Sequence, residues 1–178
     1  MVSTNDRYVL SYNGEVYNFR ELRRELKNKG YKFRSQTDSE VVLNSLTEWG
    51  TKALNRFNGM FALALWDRKE RTLLLARDRY GIKPLYVSQQ GNTFAFGSEQ
   101  KAILAMPSFA RSIDKPALLE YFTFQNIFTD RTLLEDIQLL PAGHYATLDL
   151  KHSNPVLRHT EYWDYNFCEP TERASDEE

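Results

Sequence analysis

A chain of 178 residues with 42% hydrophobic side chains can bury a substantial core as one domain, which excludes a wholly disordered protein. Lysine plus arginine, 23 residues, almost balances aspartate plus glutamate, 24 residues, and a net charge of -1 leaves no basic footprint for nucleic acid. The longest apolar runs, such as residues 60–66, are far too short for a bilayer, and the first residues carry no charged-then-apolar signal pattern.

In chain order, residues 8–12 form the first expected strand, which ends at a corner built from Asn13 and Gly14. A helix follows at once. Asn18 is a suitable N-cap with Glu21 three residues on, Leu22 and Leu26 share a face, and Gly30 suits the stop. Thr37-Asp38-Ser39-Glu40 repeats the capping-box spacing ahead of a second helix, whose apolar residues are Val41, Val42, Leu43, Leu46 and Trp49. Asp38 therefore lies in a first helical turn.

From Gly59 the period changes to that of strands. Residues 60–66 and 72–76 flank a polar turn and read as a buried antiparallel pair, and residues 85–88 and 93–96 flank Gly91-Asn92 as a second hairpin. Ser98 and Glu99 open a short helix running to Leu104. Asp114 caps another with Pro116 in its first turn, and Leu118, Leu119 and Phe122 are expected to point inward. Residues 133–139 and 144–150 are further strand candidates. The stretch from Glu169 is acidic and poor in large apolar residues, so residues 166–178 read as a linker or tail after a domain of residues 1–165. Hairpins in the middle third and helices on either side indicate an α+β layered domain. No Gly-x-Gly-x-x-Gly and no Walker loop occurs, so no nucleotide cofactor is expected in this chain.

The chemistry-bearing residues gather around the first strand. Asn13 and Gly14 offer two hydrogen-bond donors beside the carboxylate of Glu15, the raw material of an amide-handling pocket. Taken alone, Asn-Gly is equally a hairpin signal, Asp38 a charge opposing its helix dipole, and Glu15 a solvated strand-end charge. The three histidines, His144, His152 and His159, have no metal-ligand spacing. The sole cysteine, Cys168, excludes an intramolecular disulfide and fits a reducing compartment, so a cytoplasmic location is expected.

Several long motifs occur in order: Tyr12-Asn-Gly-Glu-Val-Tyr-Asn18, Thr37-Asp-Ser-Glu40, Asn58-Gly-Met-Phe-Ala62, Ala76-Arg-Asp-Arg-Tyr-Gly-Ile-Lys-Pro-Leu-Tyr86, Phe96-Gly-Ser-Glu-Gln-Lys-Ala102 and Leu140-Pro-Ala-Gly-His144. Together they resemble the glutaminase domain of glutamine-hydrolysing asparagine synthetases, a class II glutamine amidotransferase. The resemblance implies an αββα sandwich of the N-terminal nucleophile hydrolase type. It implies glutamine as substrate, with ammonia passed to a synthetase domain that uses ATP and Mg to amidate aspartate. It further implies that Asn13 and Gly14 form the oxyanion hole and that Glu15 and Asp38 recognise glutamine. Arg77 to Tyr86 is assigned to framework, with Arg77 and Asp78 as a structural pair.

One departure stands at the start. The family's nucleophile is a cysteine at residue 1 of the mature chain, with its own α-amine, of pKa ~7.7–8.0, as the base. This chain begins Met1-Val2. It therefore reads as a sandwich incomplete at the N-terminus, expected to be inactive alone and to self-associate as a homo-oligomer through an open strand edge. Neither Ser3, Thr4 nor Cys168 is a convincing substitute nucleophile. The alternative is a non-catalytic glutamine-like binding module, as in relatives resembling β-lactam synthetases.

Overall fold

The computed structural model describes residues 1–151 and 155–167. Cys168, His152 and the acidic stretch from Glu169 lie outside the described residues. The strands are β1 (Tyr8–Val16), β2 (Gly59–Asp67), β3 (Thr72–Arg77), β4 (Tyr86–Gln90), β5 (Thr93–Gly97), β6 (Ile137–Leu139), β7 (His144–Asp149) and β8 (Arg158–Glu161). The helices are α1 (Phe19–Asn28), α2 (Asp38–Trp49), α3 (Gln100–Leu104) and α4 (Lys115–Phe124), with a 3₁₀ segment at Gly50–Arg56.

Two antiparallel sheets stack, one of order β1-β2-β3-β7-β8 and one of order β5-β4-β6. β2 carries an almost unbroken apolar run because both of its faces are covered. Phe61, Leu63 and Leu65 face Leu22 and Leu26 of α1 and Val41, Val42, Leu43 and Leu46 of α2, whereas Ala62 and Ala64 face the second sheet with Leu75, Leu85, Val87 and Leu148. A third cluster, Ala95, Ile103, Phe109 and Ile137, covers the outer face of the small sheet beneath α3. The order of layers is helix, sheet, sheet, helix. Each fully buried Leu or Phe contributes about 1.5–3 kcal/mol, and the small alanines at 62, 64 and 146 let the sheets approach.

Local details depart from the sequence expectations in several places, and the strand expected over residues 133–139 is confined to Ile137–Leu139. β1 does not stop at Asn13-Gly14 but runs through to Val16, each residue paired with β2 from Tyr8↔Asp67 to Val16↔Gly59. Asn18 makes no side-chain cap of α1; its Nδ2 donates to the Arg56 carbonyl at 3.0 Å and its Oδ1 accepts from the Asn58 amide at 3.0 Å, joining α1 to the turn before β2. Glu40 does not close a capping box either, since its carboxylate reaches back to the Arg34 amide at 2.8 Å and the Ser35 amide at 2.7 Å. In α4, Asp114 caps the Ala117 amide as expected, but Leu119 is 69% and Phe122 74% exposed. Helical periodicity identifies residues sharing a face without identifying what that face meets.

Arg77 and Asp78 are framework, though not as a mutual pair. The Arg77 guanidinium donates to the carbonyls of Lys83, Gly81 and Leu140, at 2.9, 2.6 and 2.8 Å. The fully buried Asp78 carboxylate accepts from the amides of Phe61, Tyr80, Ile82 and Lys83, at 3.1, 3.1, 3.0 and 2.9 Å. One ion collects carbonyls and the other collects amides, so the 78–83 loop is held from both sides. Burial pushes the Arg77 guanidinium downward, partly offset by Asp78.

Candidate functional site

Alternation along β1 determines what each residue can offer. Leu10 and Val16 are buried against the helices, and the opposite face carries Ser11, Asn13 and Glu15, all exposed. The strand period places these three side chains on the face of Ala62, the residue paired with Asn13. The Asn13 amide crosses towards the other sheet, where Nδ2 donates to Ser98 Oγ at 3.0 Å in the turn after β5. The Glu15 carboxylate is exposed, and its charge adds to those that raise the Tyr12 phenol.

The backbone alternates as well. Leu10 donates its amide to the Met1 carbonyl at 2.8 Å and Val16 donates to Asp38 Oδ2 at 3.1 Å, so even-numbered amides point away from β2. Gly14 shares that parity, and its amide faces the outer edge of β1. Glycine is required there by close approach: a Cβ would lie 2.2 Å from the Met60 carbonyl oxygen and 2.6 Å from Phe61 Cα. Gly14 is thus not a turn residue, and the hairpin reading of Asn-Gly does not hold.

Asp38, the first residue of α2, docks on the same edge. Its Oδ2 accepts from the Tyr12 hydroxyl at 2.9 Å and from the Val16 amide at 3.1 Å, which brackets Asn13, Gly14 and Glu15 between its two contacts. Burial, the hydrogen bond to Asp38 and the Asp38 charge push the Tyr12 phenol far above its ordinary range, so it remains a neutral donor. Asp38 Oδ1 receives only a long contact from the Ser39 hydroxyl, at 3.4 Å. It retains capacity for an incoming cation.

The Gly14 amide and Asp38 therefore lie along the outer edge of β1, whereas the Asn13 and Glu15 side chains stand on its face towards the second sheet. Sequence reasoning missed two members. Tyr12 read only as a strand residue and Ser98 only as a helix opener, because nothing local marks a contact spanning 26 or 85 residues. A hollow of about 630 Å³ at Arg23–Gln36 and one of about 490 Å³ beside Thr72 and Thr147 touch none of the four residues. Among the described residues no group of three or more His, Cys, Asp or Glu could hold a metal ion, and no helix is long and apolar enough to cross a membrane.

Comparison with known proteins places these features in context. The model of the glutamine amidotransferase domain family matches residues 1–163. Asparagine synthetase [glutamine-hydrolyzing] 3 of Bacillus subtilis is 37% identical over 172 residues, which is 96% of this chain and 27% of that protein. A putative asparagine synthetase [glutamine-hydrolyzing] of Mycobacterium tuberculosis strain H37Rv is 40% identical over 156 residues, 85% of this chain and 24% of that protein. The chain thus spans about a quarter of these relatives' length. Among solved structures, glutamine phosphoribosylpyrophosphate amidotransferase from B. subtilis, complexed with ADP and GMP, superposes with a TM-score of 0.58. It is 16% identical, and the match covers 92% of this chain and 31% of that one, which speaks for the fold alone.

Proposed function

Because the chain belongs to the glutamine amidotransferase domain family, we propose that the edge of β1 is where it receives the side-chain amide of glutamine. The observation that supports this reading is that the outward Gly14 amide and the Asp38 carboxylate lie along one strand edge, with the Asn13 side chain next to Gly14 on the adjoining sheet face. Amide hydrolysis passes through a tetrahedral oxyanion, and preorganised N–H donors lower its energy; one such donor is worth ~10²–10³ in turnover. Asn13 Nδ2 and the Gly14 N–H are donors of that kind. Asp38 Oδ1 and the exposed Glu15 carboxylate suit the cationic α-amino group, since a charge-assisted hydrogen bond is roughly twice as strong as a neutral one.

In this reading the chain serves the glutaminase part of an asparagine synthetase. Glutamine yields glutamate and ammonia, and the ammonia amidates aspartate in an ATP- and Mg-dependent synthetase domain. The support is the identity to the glutamine-hydrolysing asparagine synthetases together with the geometry of the edge.

Calorimetry with L-glutamine on the 178-residue chain tests the site without requiring turnover. Saturable binding is expected, weakened about tenfold or more in Asp38→Asn, which keeps an acceptor for Tyr12 and Val16 but loses the charge. No saturable binding by the wild-type chain, or equal affinity in Asp38→Asn, overturns the reading. Ammonia release from glutamine by this chain, sensitive to Asn13→Ala, overturns the expectation that it is inactive alone.

A further inference from the structure

The Asn13 amide has two N–H bonds, and an oxyanion donor must direct one of them at a fixed point. A free asparagine side chain on an exposed strand face does not do so, because the terminal torsion of asparagine is broad and its O and N ends interchange by rotation. In this chain the amide is held by a group from the other sheet: Nδ2 lies 3.0 Å from Ser98 Oγ. Ser98 follows directly on Gly97, the last residue of β5, and precedes Glu99, the N-cap residue of α3, so its backbone is set between two elements.

We propose that Ser98 is a positioning residue for glutamine recognition. Its hydroxyl takes one Asn13 N–H, fixes which end of the amide faces the strand edge, and leaves the second N–H directed outward beside the Gly14 amide. The contact also links the two sheets, across 85 residues of sequence, with the donor on β1 and the acceptor in the turn after β5. A lone side chain on β1 would have to be ordered by the substrate. With Ser98 in place that ordering precedes binding, which is the advantage of a preorganised donor over a mobile one.

The inference rests on the glutamine reading of the β1 edge, and the test separates the two. Affinity for L-glutamine and for L-norvaline, which has the same α-amino and carboxylate groups but no side-chain amide, is measured for wild type, Asn13→Ala, Ser98→Ala and Ser98→Thr. Ser98→Ala is expected to weaken glutamine binding about fivefold, the scale of one neutral hydrogen bond. It leaves norvaline binding and the thermal midpoint unchanged, and Ser98→Thr, which retains the hydroxyl, restores glutamine affinity. The double variant Asn13→Ala/Ser98→Ala is expected to be no weaker than Asn13→Ala alone, since the two side chains act as one unit. Unchanged glutamine affinity in Ser98→Ala beside weakened affinity in Asn13→Ala overturns the role of Ser98 alone. A loss shared equally by norvaline makes Ser98 a merely structural residue and also overturns it. Absence of glutamine binding in the wild-type chain overturns the site reading and this inference with it.

Discussion

Single residues carry consequences here that exceed their size. Gly14→Ala places a methyl group against backbone atoms of Met60 and Phe61, which have no flexible end to yield. It is expected to cost about 1–3 kcal/mol by overpacking, measured as a shift in urea midpoint without a change in slope. Asp78→Ala strands four amides in a buried loop and removes the charge that partly offsets the burial of Arg77, so a loss of about 3–5 kcal/mol is expected by the same measurement. The identity of Asn13, Gly14 and Asp38 as interesting residues was legible in the sequence, because their motifs occur in order. Their geometry was not. Asn-Gly carries a strong local turn signal, and only the pairing of β1 with β2, a contact 43 to 59 residues distant, decides that it is strand.

At the scale of elements, the sequence identified helices by spacing and strands by alternation, and the structure contains nearly all of them. The misplaced orientation was that of α4. Ala117 is its buried residue, and Leu119 and Phe122 face outward. Substituting both by Ser is expected to change stability by no more than about 0.5 kcal/mol, as for other exposed positions. Leu26→Ala on α1, whose side chain is fully buried, is expected to cost about 2–5 kcal/mol. Thermal denaturation of the two variants side by side checks the contrast. β8 escaped notice because Arg158, His159, Thr160 and Glu161 are all exposed and carry no alternation to read; its partner β7 supplies the hydrogen bonds.

Across the whole molecule, acid sensitivity follows from carboxylates held by hydrogen bonds. Burial raises the Glu40 carboxyl, but the Arg34 and Ser35 amides, the Ser35 hydroxyl and the Arg23 charge outweigh it and hold the group below its ordinary value of 4.5. The Arg7 guanidinium, reinforced by the amides of Glu70 and Lys69, outweighs burial and holds Asp67 below 3.8. A carboxyl depressed in the folded state adds stability that is complete above its unfolded pKa and lost as pH falls through the folded one. Stability is therefore expected to decline as pH drops below about 4.5, with the slope reduced in Glu40→Gln. Urea midpoints between pH 6 and pH 3 measure this. The layered class was legible from hairpins in the middle third with helices on either side, but the covering of β1's edge was not. Met1–Ser3 fold back along Tyr8–Leu10 and Asp38 takes the Val16 amide, so the outward backbone left between these contacts is that of Tyr12 and Gly14.

The Asp78 loop reaches further than its own turn. The Phe61 backbone is bonded twice to Asp78 on one side, its amide donating to the Asp78 side-chain Oδ2 at 3.1 Å and its carbonyl accepting from the Asp78 amide at 2.8 Å, and Phe61 faces Gly14 on the other. Gly14 packs so closely on Phe61 that a Cβ there would lie 2.6 Å from Phe61 Cα, so a shift of Phe61 by Asp78 reaches the Gly14 backbone directly. An Asp78→Glu exchange, one methylene longer, is expected to displace the Gly14 amide resonance in a ¹H–¹⁵N spectrum without altering any residue of the edge.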